Sequence, residues 1–78
     1  MKYIVLECDG GTPILFPDHM DHAKIANNRK VQSAGFCRFV PSLSRAPHVY
    51  CYWESISLGI NSNGVKDALL IERLINNE

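Results

Sequence analysis

A chain of 78 residues is a single α+β domain in prospect, residues 1–78, and at this size only about 60% of the unfolded surface is buried, so a partner subunit would add to a modest stability. Eight basic residues balance eight acidic ones. The zero net charge lacks the basic excess that releases counterions from phosphates, which argues against a mainly electrostatic nucleic-acid binder. A hydrophobic share of 46% with 21% charged residues excludes a disordered chain, and no stretch approaches the roughly 20 apolar residues of a membrane span.

KYIVLEC, 2 to 8, alternates and is rich in β-branched residues, which predicts a strand with Ile4, Leu6 and Cys8 on one face. Its apolar run, Tyr3 to Leu6, stops at Glu7 and is too short for the core of a signal peptide, so a soluble cytoplasmic protein is expected. Asp9-Gly10-Gly11-Thr12 is a turn, and PILFP, 13 to 17, reads as a short return strand. Prolines at both of its ends suit a sheet edge, where no ladder donor is lost. Asp18 is placed to cap a short helix from His19 to about Asn27, with Met20 and Ala23 on its apolar stripe. KVQSAGFCRFV, 30 to 40, is the next strand, PSLSRAP, 41 to 47, a proline-bracketed loop, and HVYCYWESISLGI, 48 to 60, the longest β-like run. A tight hairpin between them brings Arg38 near Tyr50 and Phe36 near Tyr52. NSNG, 61 to 64, punctuates. VKDALLIERLINN then has helical spacing, with Val65, Ala68, Leu69, Glu72 and Ile75 on one side, and Leu70, Ile71 and Leu74 widening the apolar arc. The order ββαββα predicts a four-stranded, mainly antiparallel sheet with two helices on one face. The wide arc makes Leu70 and Leu74 candidates for a subunit contact in a homodimer.

His19 and His22, each after an aspartate, lie three apart and would share a helix face. With a cysteine they could offer three of the four ligands that zinc takes, although the spacing is not that of H-E-x-x-H. Aspartates at a helix start already serve as cap and dipole partners, so the reading assigns no metal and no cofactor and keeps zinc as the alternative. Three cysteines, Cys8, Cys37 and Cys51, with no C-x-x-C, read as reduced strand residues. No base is placed beside Cys37 or Cys51 by the sequence, Ser55 and Ser57 lack a G-x-S-x-G setting, and the Gly10-Gly11 turn lacks the lysine and helix of a phosphate loop. No catalytic residue is assigned, and the chain is read as non-enzymatic.

Glu54 stands in a largely aromatic run and by strict alternation shares a face with Tyr50 and Tyr52. A carboxylate there is paired, exposed or turned away by a bulge at Trp53. Arg38, Tyr50, Tyr52, Trp53 and Glu54 are therefore the candidate binding residues. Phe36, Arg38, Tyr50 and Tyr52 could also stack unpaired bases, a single-stranded nucleic-acid reading that the zero net charge disfavours.

SAGFC at 33 to 37, ESISLGI at 54 to 60 and DALLIERL at 67 to 74, with MKYIVLE at the start, resemble small uncharacterised proteins of phages, prophages and mobile elements of proteobacteria. The resemblance covers most of the chain. It implies a small cytoplasmic accessory protein and carries no known activity. In that pattern a glycine precedes the Glu-Ser pair, where this chain has Trp53. The leading expectation is an intracellular accessory module that binds a protein partner and self-associates, without membrane or nucleic acid.

Overall fold

The computed structural model describes residues 1–43 and 47–76; the expected loop at 41 to 47 lies partly outside them and Asn77 wholly so. In chain order it holds β1 (Lys2–Leu6), β2 (Thr12–Phe16), α1 (His22–Ala26), β3 (Val31–Val40), β4 (His48–Tyr52), β5 (Glu54–Ser55), β6 (Ile60–Asn61) and α2 (Gly64–Asn76). The first four strands form an antiparallel sheet in the order β2-β1-β3-β4, and β5 with β6 forms a separate short ribbon. The α+β class and the four-stranded antiparallel sheet agree with expectation.

The glycine-rich turn works as its residues demand. Asp9, Gly10 and Gly11 all have positive φ, so β1 reverses within one 3-10 turn over Cys8–Gly10. Cys8 leaves the strand and does not share the face of Ile4 and Leu6 as expected. Strand β2, with its prolines, does take an edge. On the other side β3 pairs with β4 in the expected register, Phe36 opposite Tyr52 and Arg38 opposite Tyr50.

The two helices do not share a face. Tyr3 and Val5 pack with Cys37, Val49, Ala68 and Ile71 under α2, whereas Ile4 and Leu6 pack with Phe16, Ala34 and Ala26 under α1. Tyr3, Ile4, Val5 and Leu6 are all buried. Tyr3-Ile4-Val5-Leu6 is an unbroken apolar run, which marks a strand covered on both sides, and a second layer must follow from it. Leu58 and Ile60, from β6 and the turn before it, complete the α1 layer.

The run 48 to 60 is not one strand, so the order is not ββαββα. It breaks at Trp53, whose φ is 64°. A left-handed residue ends the extended run, a cost of roughly 1–2 kcal/mol for any side chain but glycine. Glycine would occupy this position without strain. Beneath the break lies Gly35, where an added Cβ would stand 2.5 Å from the Tyr52 carbonyl oxygen and 3.1 Å from Ser62 Cβ. Backbone crosses backbone there, and only glycine permits it.

Gly35→Ala is therefore expected to lower unfolding stability by about 2 kcal/mol, within the usual range for overpacking. Denaturant unfolding checks this, and an unchanged midpoint would show that the Tyr52–Trp53 crossing yields freely.

Candidate functional site

Of the five expected binding residues, Arg38, Tyr50, Tyr52 and Trp53 lie together, on the sheet face shared with α1 and beside its cover, and Glu54 does not join them. Alternation along β3 and β4 turns Phe36, Arg38, Tyr50 and Tyr52 to that face. The Arg38 guanidinium lies over the Tyr50 ring at 5.1 Å from its centroid. Phe36 and Tyr52 stack at 6.4 Å, and Trp53 meets both edge-on, at 5.2 and 5.0 Å. Lys2 Nζ stands 5.7 Å above the Phe36 ring and donates to the Met20 carbonyl at 2.9 Å. The result is a ridge of packed rings with Trp53 70% and Ile56 90% exposed at its end. Glu54 is exposed and pairs with Asn61 in the β5–β6 ribbon, so the strict alternation expected for it does not hold beyond Trp53.

Residues 18 to 22 are not a helix start with two histidines on one face. The helix begins only at His22, and neither aspartate caps it with its side chain. Asp18 pairs with the N-terminal amine at 2.8 Å, which pulls its carboxyl below the ordinary range. Asp21 accepts from the Ser57 hydroxyl at 2.8 Å and is lowered by that bond first of all. Met20 lies outside the helix, and the apolar contacts come from Ala26 and Ile25. His22 is buried between Phe16 and Phe36, with ring centroids at 5.4 and 5.8 Å, and its Nε2 bonds the Gly35 carbonyl at 2.8 Å. His19 is exposed. Among the described residues no three His, Cys, Asp or Glu side chains stand together as a metal set, so the donors expected for zinc are not assembled.

A buried polar cluster was not foreseen. Asp67, an acidic residue in the first turn of α2, is fully buried. Its Oδ1 accepts from the Ser33 hydroxyl at 2.8 Å, and its Oδ2 from the Tyr3 hydroxyl at 2.5 Å and the Asn63 amide at 2.9 Å. Tyr3 also shares a 2.7 Å hydrogen bond with Ser62. Burial and the neighbouring carboxylate push the Tyr3 phenol far above its ordinary value. The sequence signal was the aspartate's place between apolar helix positions, four residues before Ile71, which is fully buried. On α2 the buried stripe is Asp67, Ala68 and Ile71, whereas Val65 and Leu69, expected on it, are exposed. Leu70 is half-buried beside Gly11, and Leu74 is exposed on the β2 flank.

The cysteines are all free: Cys8 exposed in its turn, Cys51 half-buried, Cys37 buried. Burial raises the Cys37 thiol and pushes that of Cys51 up to about 12, so neither is a ready thiolate. No helix among the described residues is long and apolar enough to cross a membrane. No family model, no curated protein and no solved structure matches the chain.

Tyrosine in the unfolded chain loses its proton near pH 10, while folded Tyr3 keeps it, so above pH 10 the unfolded state binds fewer protons and stability falls. The contribution of this residue is about 1.4 kcal/mol per pH unit. Tyr3→Phe is expected to be less stable than the parent at neutral pH, by about 1–3 kcal/mol, but to show a flatter decline above pH 10. Denaturation curves at stepped alkaline pH check this; parallel declines would contradict it.

Proposed function

We propose that the chain is a non-enzymatic protein-binding module and that the ridge at Tyr50, Trp53 and Ile56 is its contact surface. The observation that supports this most is the exposure of a tryptophan backed by packed rings. Tryptophan, tyrosine and arginine are the residue types that carry most of the energy at protein interfaces, and rigid backing lowers the entropy lost on binding. Trp53 presents itself on a support of Phe36 and Tyr52, with the Arg38–Tyr50 pair alongside.

A single-stranded nucleic acid fits the same surface less well. Stacking platforms leave ring faces open to bases and surround them with cations. Here Phe36 and Tyr52 face each other, Arg38 covers Tyr50, and Asp21 and Glu54 lie near Lys2 around one shallow pocket.

Trp53→Gly tests this cleanly, because left-handed backbone suits glycine and the fold is expected to survive. Immobilised parent chain is expected to retain a protein from cell lysate that Trp53→Gly loses, a weakening on the order of 2 kcal/mol or about 30-fold. Retention unchanged in Trp53→Gly, or capture abolished by nuclease, would overturn the reading.

A further inference from the structure

A second surface lies on the other side of β4. This strand is an edge of the sheet, with no strand paired on its outer side among the described residues. Cys37 gives its amide to Met1 on the β1 side, so its partner Cys51 turns its own backbone groups outward. Val49, two residues earlier, does the same, and its amide is held by the Glu72 carboxylate of α2 at 3.0 Å. Between this edge and α2 runs an apolar groove of about 330 Å³, bordered by Tyr50, Cys51, Val65, Ala68 and Leu69. Val65 is 79% exposed, Leu69 55% and Tyr50 49%.

We propose that this edge and this flank of α2 form a two-fold interface with a second copy of the chain. The edge is self-complementary. Antiparallel pairing of two β4 strands about Tyr50 sets Val49 of each copy opposite Cys51 of the other, so each outward amide meets an outward carbonyl. The helix agrees with the same axis. α2 runs antiparallel to β4, with Glu72 beside Val49 and its first turn beside Cys51. Glu72 to Leu69 is about 4.5 Å along a helix, comparable to the 3.3 Å that one strand residue spans, so Leu69 lies level with Tyr50. Two α2 helices crossing at Leu69 then place Lys66 of one copy opposite Glu72 of the other.

That pairing gives Glu72 a second partner. In the single chain its carboxylate shields the edge amide, as inward charges do on edge strands. In the pair the incoming strand takes the Val49 amide and Lys66 of the second copy takes the carboxylate. The exposed parts of Tyr50, Val65 and Leu69 come to on the order of 300 Å² per copy, taking side-chain areas of about 100–250 Å². Two copies therefore contribute about 600 Å² from these side chains, to which the paired backbone and groove walls add, against the roughly 1,000 Å² of a specific dimer. The interface lies on the flank of α2 opposite Leu74, not along the Leu70–Leu74 line that the sequence suggested.

The pairing shares Tyr50 with the proposed contact ridge, but Trp53 lies beyond the paired segment, so the two readings are separable at Trp53 and at Leu69. Sedimentation equilibrium of the tag-free chain over a wide concentration range tests it. A monomer–dimer equilibrium is expected. Leu69→Glu, at an exposed position, should raise the dissociation constant about tenfold or more by burying an unpaired charge. Lys66→Glu should also weaken it, and the exchange Lys66→Glu with Glu72→Lys should restore much of the loss. Trp53→Gly should leave the equilibrium unchanged, so loss of partner capture with the dimer intact would fail the binding reading alone. A monomer at every concentration, a dimer indifferent to Leu69→Glu, or a weakening by Lys66→Glu that the exchange does not restore would overturn the proposal.

Discussion

The carboxylate of Asp67 is the constraint on which the arrangement of this small domain rests. A charge without exposure to water is costly unless each oxygen is bonded, and here Ser33 serves one oxygen while Tyr3 and Asn63 serve the other. The donors come from β1, β3 and the turn that opens α2. One residue therefore joins the two central strands to the helix and fixes where its first turn begins. Among the described residues no buried side-chain nitrogen or oxygen lacks a partner, so the cluster closes on itself. Ser62 extends it by bonding the Gly64 amide at 3.1 Å, which steadies the helix start from outside.

The position of α2 determines what is left open. Once Asp67, Ala68 and Ile71 face the sheet, Val65 and Leu69 must border the β4 edge and Leu74 must border β2. On the opposite face α1 has only five residues and covers Ile4, Leu6, Phe16 and Ala34, leaving the β3–β4 end to Arg38 and the aromatic ridge. Tyr50 sits at the meeting point, with its ring on the ridge and its strand on the edge. A dimer through β4 would bring the two ridges side by side across the two-fold axis, which would let one partner engage both copies.

The strands were legible because their signals are local. The Asp9-Gly10-Gly11 turn, the prolines of β2 and the alternation of β3 and β4 led to the right ladder, down to Arg38 opposite Tyr50. What escaped depends on contacts distant in sequence. Asp18 looks like a cap, yet the N-terminal amine claims it, and Ser57 claims Asp21. A bulge at Trp53 was among the settings the sequence allowed for Glu54, but its cause, the crossing over Gly35 eighteen residues earlier, is not reported by any alternation within 48 to 60. The helix placement was readable in part, since Tyr3-Ile4-Val5-Leu6 is apolar on both parities. Of the candidate site, Arg38, Tyr50, Tyr52 and Trp53 do assemble, while Glu54 is turned out by the break. The Asp67 cluster was hidden because an aspartate in a first helical turn has an ordinary explanation at hand.

A double-mutant cycle between Tyr3 and Asp67 addresses that cluster directly. Unfolding free energies of the parent, Tyr3→Phe, Asp67→Ala and the double variant give the coupling between the two side chains. If the carboxylate holds α2 to the sheet through Tyr3, Asp67→Ala should cost about 3–5 kcal/mol and the pair should be coupled by at least about 1 kcal/mol. Small, additive losses would mean that α2 is held by its apolar stripe alone and that Asp67 is a passenger in the core.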